Sequence, residues 1–497
     1  MNRKLSKLLV ANRGEIALRI IRTARTIGLR TVAIYSPIDA RAAHVAAADE
    51  AYPIGESEPA ASYLNIPAIL NAARQSGAGA IHPGYGFLSE RPAFARAAIE
   101  AGLVFVGPSA DAMALLGDKI AARELAKKHG VPVVPGIDSA DLPAARSFAK
   151  SSGLPILIKA AAGGGGRGMR VVDAAPGLRD ALESAQREAI AAFGDGRLFV
   201  ERYLVRPRHV EVQVLGDING RIITIGDRDC SIQRRHQKII EESPAPGLNE
   251  AIRTAMADAA IRLFHAAGYQ NAGTAEFLVE GEDFYFLEAN TRLQVEHPVT
   301  EMRFGYDLVA QQLKIAAGEP VDEPPAPRGH AIECRIYAED AAHDFRPATG
   351  KALYLNFPAG PGVRVDSHLT AGAEVSPYYD GLLAKLVCWG ADREQARERM
   401  AAALGEFMLL GVLNTAAFLR EIMISDAFRE IQLSTRFLAE FFPQWRINDD
   451  RMHEAAIMAA LLTGGVTGLS SEKPGAAAHQ VKTPWERLGH FELWNQR

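Results

Sequence analysis

The feature that most constrains the fold is a stretch, residues 274–300, in which polar side chains recur at alternate positions. It reads TAEFLVEGEDFYFLEANTRLQVEHPVT. Alternation with a period of two is typical of a β-strand, because successive side chains point to opposite faces. Residues 281–283 lie between two apolar, aromatic-rich runs. A turn there predicts a hairpin that brings Glu276 opposite Glu288.

The alternating side chains suit a metal and anion site, and the pattern predicts that the strand continues through the last of them. They are Glu276, Glu288, Asn290, Arg292, Gln294 and Glu296. Two carboxylates and an amide are oxygen ligands that suit Mg²⁺ holding nucleotide phosphates. An arginine can hold a small oxyanion, and a neighbouring carboxylate can remove its proton. A solvated strand face is the alternative that the pattern alone leaves open.

Composition indicates a large globular protein of two to four domains, with 497 residues, 48% hydrophobic and 23% charged. A net charge of −4 without a long basic block argues against nucleic acid or a membrane surface as the main partner. Three widely spaced cysteines favour a reducing compartment over a disulfide framework. Because neither a signal peptide nor an 18-residue apolar span is found, a cytoplasmic location is expected.

The N-terminal region alternates predicted strands and helices. A strand at 8–11, a glycine turn and an amphipathic helix open the chain, and the alternation predicts a doubly wound parallel sheet over residues 1–115. The segment HPGYGFLSE, residues 82–90, follows a predicted strand, and its glycines would let Tyr85 approach a ligand. A purely structural turn fits the same spacing.

A glycine-rich run follows a predicted strand that ends at Lys159. It contains Gly163 to Gly166 and Gly168, and a further strand is predicted at 169–172. Backbone N–H groups of such a loop suit polyphosphate, with the lysine neutralising its charge. The run is not a Walker A motif, and its position between two strands favours a lid. A bare linker is the alternative.

Two further segments carry polar side chains on predicted strands. RHVEVQVLGD places His209, Glu211 and Gln213 on one face, which must meet solvent or a cleft, and solvent is the expectation for the segment taken alone. The next segment, RDCSIQRRHQK, gathers four cationic residues: Arg234, Arg235, His236 and Lys238. This group suits phosphate and bicarbonate but is also compatible with an exposed strand.

Seven motifs stand in an order and spacing that closely resembles the biotin carboxylases of the ATP-grasp superfamily, over about residues 1–446. They are ANRGEIALRI, HPGYGFLSE, KAAAGGGGRGMR, RDCSIQRRHQK, EANTRLQVEHPVTE, ECRIYAED and YYDGLLAKL. The resemblance implies a multidomain α/β and α+β fold, in which the N-terminal sheet occupies 1–115. A central ATP-grasp domain would occupy 116–329, with a glycine-rich lid at about 132–204. A C-terminal mixed β domain would occupy 330–446, leaving 447–497 as a linker-like tail with a short aromatic segment.

The resemblance also assigns site residues. The ATP site would comprise Lys119, Lys159, Gly165, Gly166, Glu201, Leu204, His209, Gln233, His236 and Leu278. The ligands of Mg²⁺ or Mn²⁺ would be Glu276, Glu288 and Asn290. Bicarbonate would be held by Arg292, Gln294, Val295 and Lys238, with Glu296 as its base. Arg335 would stabilise the enolate form of biotin, and Tyr85 would lie against the biotin ring.

The activity implied is that of an ADP-forming ligase that makes a C–N bond, carboxylating biotin through carboxyphosphate. This would be the first half-reaction of acetyl-CoA carboxylase, in fatty-acid biosynthesis, or of another acyl-CoA carboxylase. Because the sequence contains no Met-Lys-Met, the expected partners are a separate biotin carboxyl carrier protein and a carboxyltransferase, with the chain itself a homodimer. The alternatives are another ATP-grasp ligase that shares the magnesium site, and a non-catalytic subunit of the same fold.

Overall fold

A computed structural model of the protein describes residues 5–138, 141–161 and 169–446. The predicted ATP-site residues Gly165 and Gly166, and the tail 447–497, lie outside the described residues. Within these limits, none of the helices is both long enough and apolar enough to cross a membrane.

The predicted N-terminal sheet is confirmed as a five-stranded parallel sheet in the order β3-β2-β1-β4-β5. Its elements are β1 Lys7–Val10, α1 Gly14–Thr26, β2 Arg30–Tyr35, α2 Ala43–Ala47, β3 Glu50–Pro53, α3 Ile66–Ser76, β4 Ala80–His82, α4 Pro92–Glu100 and β5 Val104–Phe105. Because β1 and β4 are parallel neighbours, the loops that follow them meet at one edge of the sheet. Asn12 Nδ2 donates there to the carbonyls of Pro83 at 2.7 Å and Tyr85 at 2.8 Å. These contacts fix the loop that carries Tyr85.

A small four-stranded sheet, in the order β6-β9-β7-β8, follows two helices. The elements are α5 Ala110–Gly117, α6 Lys119–Lys128, β6 Gly136–Ile137, α7 Leu142–Ser152, β7 Ile156–Ala160, β8 Arg170–Val172, α8 Leu178–Phe193 and β9 Leu198–Arg202. Strands β7 and β8, the two strands predicted on either side of the glycine-rich run, pair antiparallel. Residues 162–168 of that run lie outside the described residues. Lys159 on β7 lies beside β9, which carries Glu201.

One antiparallel sheet of eight strands runs from the central region into the C-terminal region, in the order β14-β13-β10-β11-β12-β15-β22-β20. The central elements are β10 Arg208–Gly216, β11 Ile222–Arg234, β12 Gln237–Ser243, α9 Glu250–Ala266, β13 Asn271–Glu280, β14 Asp283–Asn290, α10 His297–Phe304 and α11 Leu308–Ala316. Pairing of β12 with β15 joins the two regions. The site can therefore draw side chains from both regions on one rigid surface.

The C-terminal region adds β-strands and a group of helices around one buried apolar core. Its elements are β15 His330–Tyr337, β16 Glu339–Asp340, β17 Arg346–Pro347, β18 Gly350–Lys351, β19 Tyr354–Asn356, β20 Val363–Ser367, β21 Glu374–Val375, β22 Leu382–Gly390, α12 Arg393–Glu406, β23 Met408–Leu410, α13 Ala416–Ile424, α14 Asp426–Arg429 and α15 Phe437–Phe441. Strand β22 lies between β15 and β20, so its side chains reach the centre of the shared sheet.

The hairpin predicted for residues 274–300 is confirmed in its first part and wrong in its last. Strands β13 and β14 pair with Glu276 opposite Glu288. Strand β14 ends at Asn290, however, and α10 begins at His297 with Glu296 at its N-cap. Pro298 explains the change, because proline cannot donate to a strand ladder but is favoured in the first turn of a helix.

Candidate functional site

The described residues of the predicted ATP site line a single cleft of about 520 Å³. They are Lys119, Lys159, Glu201, Leu204, His209, Gln233, His236 and Leu278. The same cleft is lined by all three predicted metal ligands and by Lys238, Arg292, Gln294, Val295 and Arg335. The structure thus brings together residues that span more than 200 positions of sequence.

Lys238 lies at the centre of three buried carboxylates. Its Nζ donates to Glu211 Oε2 at 2.6 Å and to Glu276 Oε1 at 2.7 Å. It also donates to Glu296 Oε1 at 2.7 Å. Burial alone would lower the pKa of Lys238, but the three carboxylates outweigh it and raise that pKa well above its ordinary value. We call these four residues the carboxylate cluster, and its lysine is fully charged at neutral pH.

Glu276 also accepts hydrogen bonds from the predicted metal and bicarbonate residues. Its Oε1 accepts from Asn290 Nδ2 at 2.7 Å and from Gln294 Nε2 at 3.1 Å. His209 Nε2 lies 2.9 Å from the other carboxylate oxygen. Burial would raise the pKa of Glu276, but Lys238 and His209 outweigh it and lower the pKa. The carboxylate is therefore ionised, which a metal ligand requires.

Glu288 faces the cleft from the neighbouring strand. Its carboxylate lies 2.8 Å from Lys119 Nζ, and about a quarter of its side chain, 27%, remains exposed. Nearby, Arg292 Nη1 donates to Gln294 Oε1 at 2.8 Å, and Arg292 Nε lies 3.1 Å from Glu90 Oε2. Residues beyond the end of β14 therefore still converge on the site, through turns rather than through a strand.

Arg335 connects two buried glutamates. Its Nε lies 2.6 Å from Glu241 Oε1, and its Nη2 donates to Glu296 Oε2 at 3.0 Å. Burial would raise the pKa of Glu296, but Lys238 and Arg335 outweigh it and hold the pKa well below its ordinary value. Burial raises the pKa of Glu241 to about 7, against the opposing charge of Arg335. Glu296 is thus an ionised carboxylate held on both oxygens by cations that line the cleft.

The other end of the cleft contains simpler ion pairs. Lys159 Nζ contacts a carboxylate oxygen of Glu201, and Arg123 Nη1 lies 3.4 Å from its second oxygen. Gln233 Nε2 lies 2.7 Å from His209 Nδ1. Burial, together with the positive charges of Lys159 and Lys119, lowers the pKa of His236, which is therefore neutral.

A second cavity of about 360 Å³ adjoins the cleft and shares Arg292, Val295 and Arg335 with it. Tyr85 lines this cavity with the loop that follows β1. The Tyr85 hydroxyl is buried and finds no hydrogen-bond partner among the described residues. The predicted biotin residues, Tyr85 and Arg335, therefore border one space.

Two expectations about polar strand faces are corrected. The face of His209, Glu211 and Gln213 does not meet solvent: all three are buried. Arg228, which is fully buried on β11, donates to Glu211 and, at 2.8 Å, to Gln213 Oε1, which compensates their desolvation.

The four cationic residues near position 236 also separate. Arg234 pairs with Glu339 at 2.7 Å, and Arg235 pairs with Asp344 at 2.7 Å on the exposed surface. Of the four, His236 and Lys238 line the cleft. The positive φ values of Arg235 (48°) and His236 (67°) show that the chain turns here, which breaks the strand pattern.

Sequence reasoning missed two charged residues that contact the site, Glu241 and Lys385. It placed Glu211 on the same strand face as His209, but not its contact with Lys238. Glu241 follows the apolar residues Ile239 and Ile240, and no alternation of polar side chains marks it as a site residue. Lys385 lies in the motif YYDGLLAKL, but the motif does not indicate its contact, because only the pairing of β22 with β15 brings it to the site.

Chemically, the cleft offers ionised carboxylate and amide oxygens for a divalent cation, lysines for phosphate, and one carboxylate held between two cations. This set suits transfer of a phosphoryl group to a small oxyanion. The three cysteines are buried and carry free thiols.

Three family models match the chain. The model described as biotin carboxylase, N-terminal domain, matches residues 4–113. The model of the carbamoyl-phosphate synthase L chain, ATP binding domain, matches residues 118–324. The model of the biotin carboxylase C-terminal domain matches residues 333–440.

Individual proteins are similar over most of the chain. A biotin carboxylase of Nostoc sp. is 48% identical, over 88% of this chain and 99% of its own. A methylcrotonoyl-CoA carboxylase subunit alpha of Dictyostelium discoideum is 44% identical, over 98% of this chain and 70% of its own. The solved biotin carboxylase domain dimer of Hydrogenobacter thermophilus 2-oxoglutarate carboxylase, in complex with MgADP, ADP and bicarbonate, has a TM-score of 0.86 and 44% identity. It covers 90% of this chain and all, 100%, of that chain.

Proposed function

The chain belongs to the biotin carboxylase family, and on that premise we propose that it carboxylates biotin in an ATP- and bicarbonate-dependent, ADP-forming reaction. The observation that carries the proposal is the position of Glu296, whose two carboxylate oxygens accept hydrogen bonds from Lys238 and Arg335. Lys238 faces the cleft, and Arg335 faces both the cleft and the Tyr85 cavity. One carboxylate thereby links the two spaces in which the two substrates would react.

For the nucleotide, we propose that Lys119 and Lys159 bind phosphate oxygens and that His236 remains neutral beside them. Each lysine is neutralised by a glutamate in the described structure, and phosphate would take over that role. Leu204 and Leu278 supply apolar contacts for the adenine, while Glu201, His209 and Gln233 supply polar ones. Gly165 and Gly166 are proposed by resemblance as backbone donors.

The residues present fit a magnesium ion. Glu276 and Glu288 lie opposite each other in one hairpin, and Asn290 follows two residues after Glu288 on the same strand. Their carboxylate and amide oxygens are the donor set that Mg²⁺ or Mn²⁺ prefers. When bound, the ion would neutralise phosphate charge during transfer. Lys119 already holds Glu288 towards the cleft.

For bicarbonate, we propose that Arg292, Gln294, Val295 and Lys238 bind the anion and that Glu296 removes its proton. Bicarbonate would compete with Glu296 for Lys238, because both are anions. The oxygen freed from Lys238 could then accept the bicarbonate proton. The deprotonated anion attacks the γ-phosphate of ATP, which forms carboxyphosphate and releases ADP.

Carboxyphosphate then breaks down to CO₂ and phosphate, and phosphate removes the proton from biotin N1. We propose that Arg335 stabilises the resulting enolate oxygen and that Tyr85 lies against the biotin ring. The nitrogen captures CO₂, forming the new C–N bond. Since Arg335 faces both spaces, CO₂ need not cross open solvent.

We further propose that the biotin belongs to a carrier protein, that a carboxyltransferase uses the product, and that the chain forms a homodimer. An acyl-CoA carboxylase, with acetyl-CoA as the default acceptor, is the proposed setting. The domains proposed are 1–115, 116–329 and 330–446, and the free cysteines favour a cytoplasmic location.

The test is ADP release by the full chain with MgATP and bicarbonate, with and without free biotin. We expect biotin-stimulated turnover that falls by about 10²–10⁴-fold in Glu296→Gln, because the general base is lost. Arg335→Met should lose the stimulation by biotin. A rate of ADP release that free biotin does not change would instead indicate another ATP-grasp ligase. MgADP binding without any turnover would indicate a non-catalytic subunit.

A further inference from the structure

Lys385 is a fully buried lysine that the proposed reaction does not use. It lies in β22, and its Nζ donates to the main-chain carbonyl of Val295 at 3.1 Å. The same Nζ lies 3.2 Å from Glu15 Oε2 and 3.7 Å from Asp366 Oδ2. A hydrogen bond from a buried ammonium group restrains the orientation of the carbonyl that accepts it, because charged donors form stronger hydrogen bonds than neutral donors do.

Lys385 is also the direct cross-strand neighbour of Arg335. Paired residues of adjacent strands point to the same face of a sheet. The two cations therefore contact consecutive residues of one loop: Arg335 binds the Glu296 side chain, and Lys385 binds the Val295 carbonyl. That carbonyl belongs to the peptide unit that joins Val295 to Glu296. The orientation of this peptide unit determines the position of the Glu296 Cα, from which the side chain extends.

Glu15 supplies the countercharge from another part of the chain. It lies in the first turn of α1, directly after the loop that lines the Tyr85 cavity. Its side chain is buried, and neither carboxylate oxygen receives a well-formed hydrogen bond from the part of the chain that the structure describes. Asp366 is mainly committed to Arg364, at 2.7 Å. Glu15 is therefore the carboxylate closest to Lys385.

We propose that Lys385, with Glu15 as its countercharge, is a positioning residue that orients the Val295–Glu296 peptide and so places the base for bicarbonate. This rests on the proposed function only for the role of the base. The contact between Lys385 and the Val295 carbonyl is supported by geometry alone. It also joins the N-terminal helix α1 to the reaction loop through one buried side chain.

The test uses the full chain carrying Lys385→Met, which removes the ammonium group and keeps an unbranched side chain that is one atom shorter. Lys7→Met is the matched control, because Lys7 makes the same kinds of contact outside the cleft. Its Nζ donates to the main-chain carbonyl of Ser76 and to Glu50 Oε1, the latter at 2.8 Å. Because Met leaves Glu15 without its countercharge, the double variant Lys385→Met with Glu15→Gln tests the same loss without a buried unpaired carboxylate.

Two measurements are made on each variant above pH 7, where Glu15 is ionised. Hydrogen exchange of peptides covering residues 291–300 needs no activity, and it should quicken about tenfold in both Lys385 variants but not in Lys7→Met. In steady-state assays, kcat/KM for bicarbonate should fall about 10- to 100-fold while KM for ATP changes less than twofold.

These readouts separate the two proposals. An inactive wild type overturns the proposed function, whereas faster exchange of the loop would still support the role of Lys385. Unchanged loop exchange in both Lys385 variants overturns that role, whatever the wild type does. Equal losses for ATP and bicarbonate would also overturn it, because they indicate general damage.

Discussion

The two ends of the cleft are built from the same residue types but in different proportions. In the carboxylate cluster, one lysine, Lys238, serves three glutamates, and all of these carboxylates are almost fully buried. At the nucleotide end, Lys119 and Lys159 each face one glutamate. The difference lies in how the lysines are shared: Lys238 contacts three glutamates, two of which also contact an arginine, whereas Lys119 and Lys159 contact one glutamate each.

The difference indicates how each end meets its substrate. Three residues of the carboxylate cluster lie on strands β10, β12 and β13 of one sheet, and Glu296 lies at the N-cap of α10. Their hydrogen bonds are made before any anion arrives. Groups fixed in advance cost little reorganisation during reaction. At the nucleotide end, phosphate can replace one glutamate on each lysine, which exchanges one ion pair for another. The first arrangement favours catalysis, and the second favours reversible binding.

The largest effect should come from removing the lysine that serves three carboxylates. Lys238→Met leaves buried glutamates without their shared cation, which we expect to cost about 3–5 kcal/mol of unfolding free energy and to abolish measurable turnover. Lys119→Met loses one partner that is partly exposed, and we expect a cost of about 1 kcal/mol or less. Denaturant unfolding of both variants measures the difference.

Adding Glu276→Gln to Lys238→Met should recover part of the lost stability, because Glu276 is the carboxylate of the three that has no arginine partner among the described residues, whereas Glu211 keeps Arg228 and Glu296 keeps Arg335. Asn290 and Gln294 still donate towards that position, so the oxygen of the replacement amide retains donors. Equal losses in Lys238→Met and Lys119→Met would contradict the proposed difference between the two ends.

A smaller effect is expected at the nucleotide end. Lys159→Met should raise KM for ATP about tenfold, the equivalent of about 1.4 kcal/mol, because one charged phosphate contact is lost. KM for bicarbonate should stay within about twofold, since Lys159 lies in the separate four-stranded sheet. Lys150→Met, on the exposed surface of α7, is the matched control. A change in both Michaelis constants would show that the two ends are not independent.

The sequence predicted local elements well where a single period governed them. The N-terminal alternation gave the parallel sheet, and the 274–290 alternation gave the hairpin with Glu276 opposite Glu288. The same alternation failed after Asn290, because a proline in the first turn of a helix overrides a period of two. Even so, Arg292 and Gln294 reached the site, because the turn is short.

The charge balance of the site could not be read from the sequence. The face of Glu211 was expected to meet solvent or a cleft, with solvent favoured, and the buried Arg228 that compensates Glu211 comes from another strand. Glu241 and Lys385 depend on pairings between strands far apart in the chain. Local pattern fixes which way a side chain points, but only the tertiary register decides which charge it meets.

The smallest expected effect is the pH dependence of stability at two buried carboxylates. Whether stability rises or falls with pH depends on whether nearby cations outweigh the desolvation of the carboxylate. Burial raises the pKa of Glu15 to about 7, because Lys385 offsets only part of its desolvation. The unfolded chain loses this proton near pH 4.5, so the folded state binds the extra proton between pH 4.5 and 7. The contribution of Glu15 to stability therefore falls as pH rises through that range.

Glu242 on β12 should show the opposite sign. Burial would raise its pKa, but His330 and Arg393 outweigh it and lower the pKa to about 2. Its stabilising contribution is therefore complete above pH 4.5 and is lost as pH falls towards 2. Thermal midpoints from pH 3 to 8 should show Glu15→Gln gaining on wild type by about 1–3 °C between pH 5 and 7. Glu242→Gln should lose most against wild type above pH 5, with the deficit shrinking in acid. If the thermal midpoints of the two variants changed with pH in the same direction relative to wild type, nearby cations would not determine the sign of the pH dependence.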